Sequence, residues 1–357
     1  MNTAIETFSD SFPYKPWSCS GMNFNPQCAA KILARKPQPV TWVWDSYIAE
    51  GDLFVFAAFM KVGKSTFIYP LAVAIARGLP FLERQTKKGG VLILALEEHP
   101  RDVELRLRKL GMTPNDPIYI HSGPLSNNEQ ALRDIRSFIQ EKRIRLVLLD
   151  SLPYWWNVRN ENDNAEINER LKPLLQLARE TGAAIGLIHH ESKYGGRDAV
   201  GGSQGDGKSI RGASALFGIV DQAILLDRRQ GKTLNQRILK AIGRRSESPR
   251  ELVVELEGNT ALSDPQPYTY RLLGTPEALS EAAAKDRVWS VLTAESQEVK
   301  AVEAAAGPGK KVVREALEAL VAEKRARREG KGVKGDPYKY AVEVEADMTE
   351  GVTTHAE

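Results

Sequence analysis

The sequence has little cysteine, no long apolar run and almost no net charge. Its 357 residues include two cysteines, Cys19 and Cys28, which are too few for a disulfide framework or a four-cysteine zinc site. No apolar run approaches the roughly 20 residues of a membrane-spanning helix, and the first residues lack a signal-peptide pattern. We therefore expect a cytoplasmic protein without membrane contact. Lys and Arg number 49 against 46 Asp and Glu, so the total charge of +3 indicates no partner.

Apolar strand-like segments alternate with helix-like segments between about residues 41 and 275. Continuous apolar strands that alternate with helices predict an α/β domain with a mainly parallel sheet, covered on both faces. The last three predicted strands follow one another closely, which indicates an antiparallel edge. The predicted strands are 53–59, 91–96, 118–121, 146–150, 184–189, 222–226, 237–242 and 252–256, and the predicted helices are 65–77, 101–110, 128–142 and 166–181.

The regions on either side of this domain differ from it in composition. Residues 1–40 have no sustained periodicity, which predicts an irregular N-terminal segment. Residues 276–345 contain two stretches of helix-forming residues, a basic run, a Gly/Lys turn and a strand-like end. This order predicts a small winged-helix domain, and the polar residues 346–357 predict a flexible tail.

Two segments fit the consensus of a phosphate-binding loop. Residues 202–209 match it strictly, whereas residues 58–65 carry Ala58 in place of the first glycine. Such a loop must leave a strand and enter a helix, because backbone amides and a helix N-terminus surround the phosphates. Residues 58–65 meet this condition, and the strict match is interpreted as a chance match in a flexible loop. The predicted ATP and Mg²⁺ site is Ala58, Lys61, Val62, Gly63, Lys64, Ser65 and Thr66.

Carboxylates follow two further predicted strands. Residues 145–150 form an apolar strand that ends in Asp150, the pattern of a Walker B acid that would bind Mg²⁺ together with Ser65. Glu97 follows strand 91–96 and is a candidate general base for the attacking water. The alternative is that Glu97 and Glu98 cap the helix that begins near Pro100.

Two histidines, His189 and His190, follow strand 184–189. Either one is a candidate sensor of the γ-phosphate, because it lies at the same sheet edge as the predicted phosphate loop. The alternative is a structural histidine at a strand end. Two histidines without a cysteine do not predict a zinc site.

These motifs, taken in order, resemble those of RecA-like ATPases. The set comprises Gly63-Lys64-Ser65, Glu97-Glu98 leading to Arg106, Asp150-Ser151, His189-His190 and Arg211. Over residues 40–260 the chain resembles the RepA-type hexameric replicative helicases of plasmids and phages. The resemblance implies a RecA-like P-loop core and catalytic roles for Lys64, Glu97, Asp150 and His189 or His190. It also implies that Arg211 is an arginine finger for a neighbouring subunit of a ring.

Three regions are candidates for nucleic-acid contact. In the loop after Asp150, aromatic residues beside an arginine suit base stacking, or they pack into the core. A Gly-rich loop after the histidines carries cations that suit a phosphate backbone, or it is a plain loop. Residues 310–334 contain nine Lys or Arg and four Asp or Glu, which suits DNA or is a solvated basic face. The candidates are Trp155, Trp156 and Arg159; Lys193, Arg197 and Lys208; and Lys310, Lys311, Arg314, Arg325 and Arg327.

The sequence thus predicts an oligomeric Mg-ATP-hydrolysing DNA helicase or translocase that acts in plasmid or phage replication. Single-stranded DNA is the expected partner, with duplex DNA and replication proteins as further candidates. Two other functions stay open: a DNA-binding regulatory ATPase that uses ATP as a switch, and a non-catalytic RecA-like accessory module.

Overall fold

The computed structural model describes residues 26–36, 39–156, 163–190, 213–229, 233–244, 247–248, 251–307 and 309–343. The chain divides into two compact units, Met1–Val40 and Thr41–Glu357. The described part of the first unit contains one short helix, α1 (Ala29–Leu33), which has no buried residue. Among the described helices, none has the length and apolar character needed to cross a bilayer.

The described residues of the second unit form fourteen strands and nine helices. The strands are β1 (Trp42–Trp44), β2 (Ile48–Ala49), β3 (Leu53–Ala58), β4 (Gly90–Ala95), β5 (Ile118–Ser122), β6 (Ile144–Asp150), β7 (Ala184–His190), β8 (Gln222–Arg228), β9 (Gln236–Gly243), β10 (Glu251–Glu257), β11 (Thr269–Gly274), β12 (Gln297–Glu298), β13 (Ala326–Glu329) and β14 (Lys339–Val342). The helices are α2 (Lys64–Arg77), α3 (Pro100–Lys109), α4 (Glu129–Lys142), α5 (Leu152–Trp156), α6 (Asn164–Thr181), α7 (Ala213–Ile219), α8 (Pro276–Trp289), α9 (Val299–Ala306) and α10 (Lys310–Ala322).

Nine strands form one large sheet in the order β11-β10-β9-β8-β3-β7-β6-β4-β5. The six strands from β8 to β5 are parallel, and β9, β10 and β11 extend the sheet in antiparallel fashion. The predicted parallel α/β sheet with an antiparallel edge is therefore confirmed. Strand β11 was missing from the prediction, because its Thr-Tyr-Arg-Leu-Leu-Gly run is short and follows a polar segment that contains Pro265 and Pro267.

Each face of the large sheet carries its own apolar core. Successive side chains of a strand point to opposite faces, so Phe54 and Phe56 of β3 pack on the α2 side. Leu53 and Val55 pack on the α6 side. Each fully buried side chain of this size contributes roughly 1.5–3 kcal/mol, so the central strands have little freedom to shift in register.

The residues from 276 to 343, called the C-terminal module below, contain three helices and a three-stranded antiparallel sheet. The sheet order is β12-β14-β13, and its core includes Val288, Val302, Leu317 and Tyr340. The Thr275 hydroxyl accepts a hydrogen bond from the Ala278 amide and caps the first helix. The helix-forming stretch 279–306 is divided here into α8 and α9, with a turn and strand β12 between them.

Candidate active site

The carboxyl ends of β3, β7, β6 and β4 lie side by side and form what we call the nucleotide edge. In the ladder, Ala58 is paired with His190, and Ala95 is paired with Asp150. The phosphate-loop candidate follows β3, and Glu97 with Glu98 follows β4. The sheet order therefore brings together groups that are up to 132 residues apart in the chain, from Ala58 to His190.

The loop between β3 and α2 has the backbone of a tight turn. The Val62 amide donates to the Phe59 carbonyl at 3.3 Å, and Lys61 and Gly63 have φ angles of 62° and 111°. A Cβ atom at Gly63 would lie 3.3 Å from the Tyr270 hydroxyl, so glycine also suits the space available. The N-cap residue of α2 is Gly63, which has no side chain to accept the first amides of the helix. Such a helix end suits an anion.

Lys64 and Ser65, the first residues of α2, point to neighbouring strands. The Lys64 Nζ atom donates to the Ala58 carbonyl at 3.3 Å and lies 2.7 Å from Nδ1 of His190. The Ser65 hydroxyl donates to Oδ2 of Asp150 at 3.3 Å. The two residues expected to bind phosphate and Mg²⁺ therefore lie beside the histidine and the carboxylate predicted for the same chemistry.

His190 bridges the lysine and the predicted base. Because Lys64 can only donate, Nδ1 of His190 is the acceptor and the proton lies on Nε2. That Nε2 lies 3.6 Å from Oε2 of Glu97. Burial and the positive charge of Lys64 lower the pKa of His190, so the ring is neutral at physiological pH. His189 is buried within the sheet, whereas His190 lines the cavity described below.

Glu97 and Glu98 have different surroundings. Glu97 accepts a hydrogen bond from the Ser151 hydroxyl at 2.6 Å, and its side chain is 43% exposed. Glu98 forms an ion pair with Arg106 and accepts from the Tyr69 hydroxyl at 3.2 Å. Neither carboxylate caps α3, because the ring of His99 accepts the Arg101 amide there. The alternative of a glutamate cap is therefore wrong.

Asp150 is buried near two other carboxylates. Burial, and then the negative charges of Glu98 and Glu97, raise the pKa of Asp150 to about 6, although Lys64 and Ser65 act in the opposite direction. Burial alone would lower the pKa of Arg106. Glu98 and Tyr268 act more strongly in the opposite direction, so the pKa of Arg106 is raised. Negative charge thus exceeds positive charge around Asp150, and a divalent cation would balance it.

The residues fit Mg²⁺ bound together with a nucleotide. Ser65 and Asp150 supply adjacent oxygen ligands of the kind that Mg²⁺ prefers. In the described part of the chain, no group of three or more His, Cys, Asp or Glu side chains is arranged to hold a metal alone. Few protein ligands are expected here, because phosphate oxygens and water complete the octahedron around Mg²⁺.

A cavity of about 430 Å³ opens at the nucleotide edge. It is lined by Lys61, Gly63, Lys64, Ser65, Thr66, Glu97, Glu98, His99, Asp102, Arg106, Asp150 and His190. Sequence reasoning missed Tyr69, His99 and Asp102 among the site and its neighbours. Tyr69 and Asp102 lie inside helices and His99 caps one, so no local pattern marks them. Ser151 belongs to the predicted motif series but had no predicted role.

Several predicted nucleic-acid residues have other surroundings or lie outside the described residues. Trp155 is only 1% exposed and packs in the apolar core beside α6, so its prediction as a base-stacking residue is wrong; Tyr154 is the exposed aromatic of α5, at 59%. Arg159, Lys193, Arg197, Lys208 and Arg211, the side chain of Trp156 and the strict consensus match 202–209 lie outside the described residues.

In the C-terminal module, four of the five predicted cations have a side-chain partner within the described residues. Arg314 pairs with the buried Glu303 at 2.7 Å, and Arg325 lies 4.5 Å over the ring of Trp289. Arg327 donates to Glu329 and to two backbone carbonyls. Lys311 lies 3.7 Å from Glu315, and both lysines at the start of α10 are exposed, as are Arg314 and Arg325. The contacts of the three arginines stabilise the module, and contact of these five cations with DNA stays a prediction.

The chain is similar to one protein family and to a solved structure. The family model described as an AAA domain matches residues 22–196. A KaiC-like protein from the hyperthermophilic archaeon Pyrococcus horikoshii OT3 aligns with 66% of this chain and 98% of its own, at 17% identity and a TM-score of 0.45. The AAA match, the order of the parallel strands and the phosphate loop together support a RecA-like P-loop ATPase.

Proposed function

We propose that this protein is an oligomeric Mg-ATP-hydrolysing DNA translocase or helicase in plasmid or phage replication, and that its C-terminal module binds DNA. The observation that carries the hydrolysis is the nucleotide edge, where Lys64, Ser65, Glu97, Asp150 and His190 surround one cavity. The DNA-directed part rests on the resemblance of the motif series and on the C-terminal module.

The phosphates bind at the loop and at the N-terminus of α2. The amides of this helix end and the ammonium group of Lys64 face the negative charge. Ser65 and Asp150 would hold Mg²⁺, which would supply neutralisation of the phosphate charge. When phosphate attracts Lys64, the contact between Lys64 and Nδ1 of His190 would be lost, and the Nε2–H group of the neutral ring would be able to donate a hydrogen bond to a phosphate oxygen or to Glu97.

Glu97 is the better base of the two neighbouring glutamates. Glu98 is neutralised by Arg106 and Tyr69, which fix its position at the wall of the cavity. Glu97 is half exposed to the cavity, and its described partners are the Ser151 hydroxyl and the neutral His190. It is therefore able to accept a hydrogen bond from water and orient that water for attack.

The C-terminal module contains, in chain order, a helix, a strand, two helices and two strands, and this order supports the winged-helix domain that we propose. Lys310 and Lys311 lie at the positive end of α10, where the helix dipole also favours a phosphate. Lys331 and Lys334 are exposed in the turn between β13 and β14. Asp336 orders this turn, since its side chain accepts the Lys331 amide at 3.1 Å. These four lysines form the DNA surface that we propose.

Steady-state ATPase rates with and without single-stranded DNA, measured beside native mass spectrometry, test the proposal. A translocase is expected to form a ring and to hydrolyse ATP severalfold faster on single-stranded DNA. A monomeric protein whose ATPase rate does not change when single-stranded DNA is added would contradict this function. If such a protein still binds duplex DNA in an ATP-dependent way, it is a regulatory switch; if it binds ATP without turnover, it is a non-catalytic module.

A further inference from the structure

The hairpin of β8 and β9 makes direct contact with the phosphate loop. Arg228 at the end of β8 and Arg237 near the start of β9 are cross-strand partners. The Nη2 atom of Arg228 donates to the Lys61 carbonyl at 3.0 Å, and the Nε atom of Arg237 donates to the Val62 carbonyl at 2.9 Å. Two cations directly opposite each other destabilise a strand pair. The two arginines are found opposite each other because they bind two successive carbonyls of the same loop.

Arg237 is the more unusual of the two residues, because it is only 7% exposed. Within the described residues, the acceptors of its guanidinium are the carbonyls of Val62, Leu234 and Gln236, and no carboxylate is among them. A buried cation without a countercharge is unfavourable in an isolated protein. An anion bound on the other side of the loop would reduce that cost.

The contact also acts on the backbone amide of a residue that lines the cavity. The Val62 carbonyl and the Gly63 amide belong to the same peptide unit, and Gly63 lines the cavity. A carbonyl that accepts a charged hydrogen bond polarises its peptide, which makes the amide of that peptide a stronger donor. Fixing the carbonyl toward the hairpin also fixes the direction of the amide on the opposite side of the peptide plane.

We propose that Arg237, with Arg228 beside it, is a positioning residue of the phosphate-binding loop. It holds the peptide between Val62 and Gly63 with the amide facing the bound phosphate. It also adds positive potential beneath the loop. This inference rests on nucleotide binding at the loop, but not on DNA translocation.

Equilibrium binding of a fluorescent ATP analogue and of ADP to Arg237→Gln, Arg237→Lys and Arg228→Gln tests the inference, with Arg271→Gln as the matched control. Arg271 is an exposed arginine of the same sheet that pairs with Glu255 and Glu257. Loss of one charge-assisted hydrogen bond predicts an affinity about tenfold weaker for Arg237→Gln. Lysine keeps the charge but not the fork geometry, so Arg237→Lys is expected in between, and the control is expected within twofold of the wild type.

Hydrogen exchange of a peptide covering residues 59–64 supplies a readout without nucleotide. Faster exchange in this loop, with unchanged exchange in β3 and the C-terminal half of α2, supports a positioning role.

An Arg237→Lys variant that binds nucleotide like the wild type, or an Arg237→Gln variant with unchanged nucleotide affinity, overturns the positioning role. If Arg237→Gln does not fold, the nucleotide affinities of Arg228→Gln and Arg237→Lys test the positioning role instead. If the wild-type protein binds ATP without hydrolysing it, the proposed function is refuted, but the role of Arg237 is still tested by the binding measurements. If the wild-type protein binds no nucleotide, both the proposed function and the role of Arg237 are overturned.

Discussion

The nucleotide edge and the C-terminal module hold their charged side chains in opposite ways. At the nucleotide edge, Asp150 is buried beside Glu97 and Glu98, and the pKa of its carboxyl is raised to about 6. In the C-terminal module, Arg325, Arg327 and Arg328 lie near the surface beside an acidic or aromatic partner. Unbalanced buried charge destabilises a fold and indicates a ligand, whereas balanced surface charge supports the fold itself.

The largest effect is expected at Lys64. Lys64→Met removes the cation that we propose contacts the phosphates, and ATPase activity should fall by about 10²–10³-fold or more. The matched control is Lys87→Met, which removes an exposed lysine that pairs with Glu50 outside the cavity. Equal losses in the two variants would mean that the cavity is not the nucleotide site.

The second effect is expected on DNA. Replacing Lys310, Lys311, Lys331 and Lys334 by alanine should weaken DNA binding and reduce the slope of log K against log salt by about one for each lost phosphate contact. Fluorescence anisotropy over a range of salt concentrations measures both quantities. An unchanged slope would show that these lysines form a solvated face and no DNA surface.

The third effect is a gain in stability at the nucleotide edge. At pH 7.5 Asp150 is ionised in an environment that raises its pKa from 3.8 to about 6, so Asp150→Asn should stabilise the nucleotide-free protein by up to about 3 kcal/mol. Asp150 of the wild type becomes protonated as the pH falls below 6, so the difference in stability between the two proteins should shrink between about pH 6 and pH 4. Thermal unfolding without Mg²⁺ between about pH 4 and pH 8 measures this difference. Destabilisation by Asn would contradict the account of unbalanced charge.

The smallest effect is expected at Arg314. Arg314→Gln leaves the buried carboxylate of Glu303 without its ion pair, which should destabilise the C-terminal module by about 1 kcal/mol. DNA affinity should remain within twofold of the wild type. If DNA affinity falls while stability is unchanged, the arginine faces DNA and the comparison between the two regions fails.

Much of the nucleotide edge could be predicted from the sequence, because its signals are local. Each apolar run that ends in a polar group marks the end of a buried strand, and parallel strands end at one edge. Context also decided between the two loop matches, since the loop at Ala58 leaves a strand and enters a helix. The different roles of Glu97 and Glu98 depend on Tyr69 and Arg106, which local patterns do not connect to them.

The remaining features depend on contacts between distant residues. Trp155 is polar at one atom and apolar elsewhere, so its burial against α6 is decided by packing that the loop sequence does not encode. Arg314 and Arg325 are paired with Glu303 and Trp289, 11 and 36 residues away. A count of basic residues cannot separate such cations from the exposed lysines beside them. Arg237 contacts a loop about 175 residues earlier in the chain.

The most direct test of the central claim is turnover and binding of Mg-ATP by Glu97→Gln, with Glu104→Gln as the matched control on the exposed face of α3. The account predicts that Glu97→Gln binds ATP with nearly wild-type affinity but turns it over about 10²–10⁴-fold more slowly, while the control retains the full rate. A Glu97→Gln variant that hydrolyses ATP at the wild-type rate would contradict the assignment of the catalytic edge.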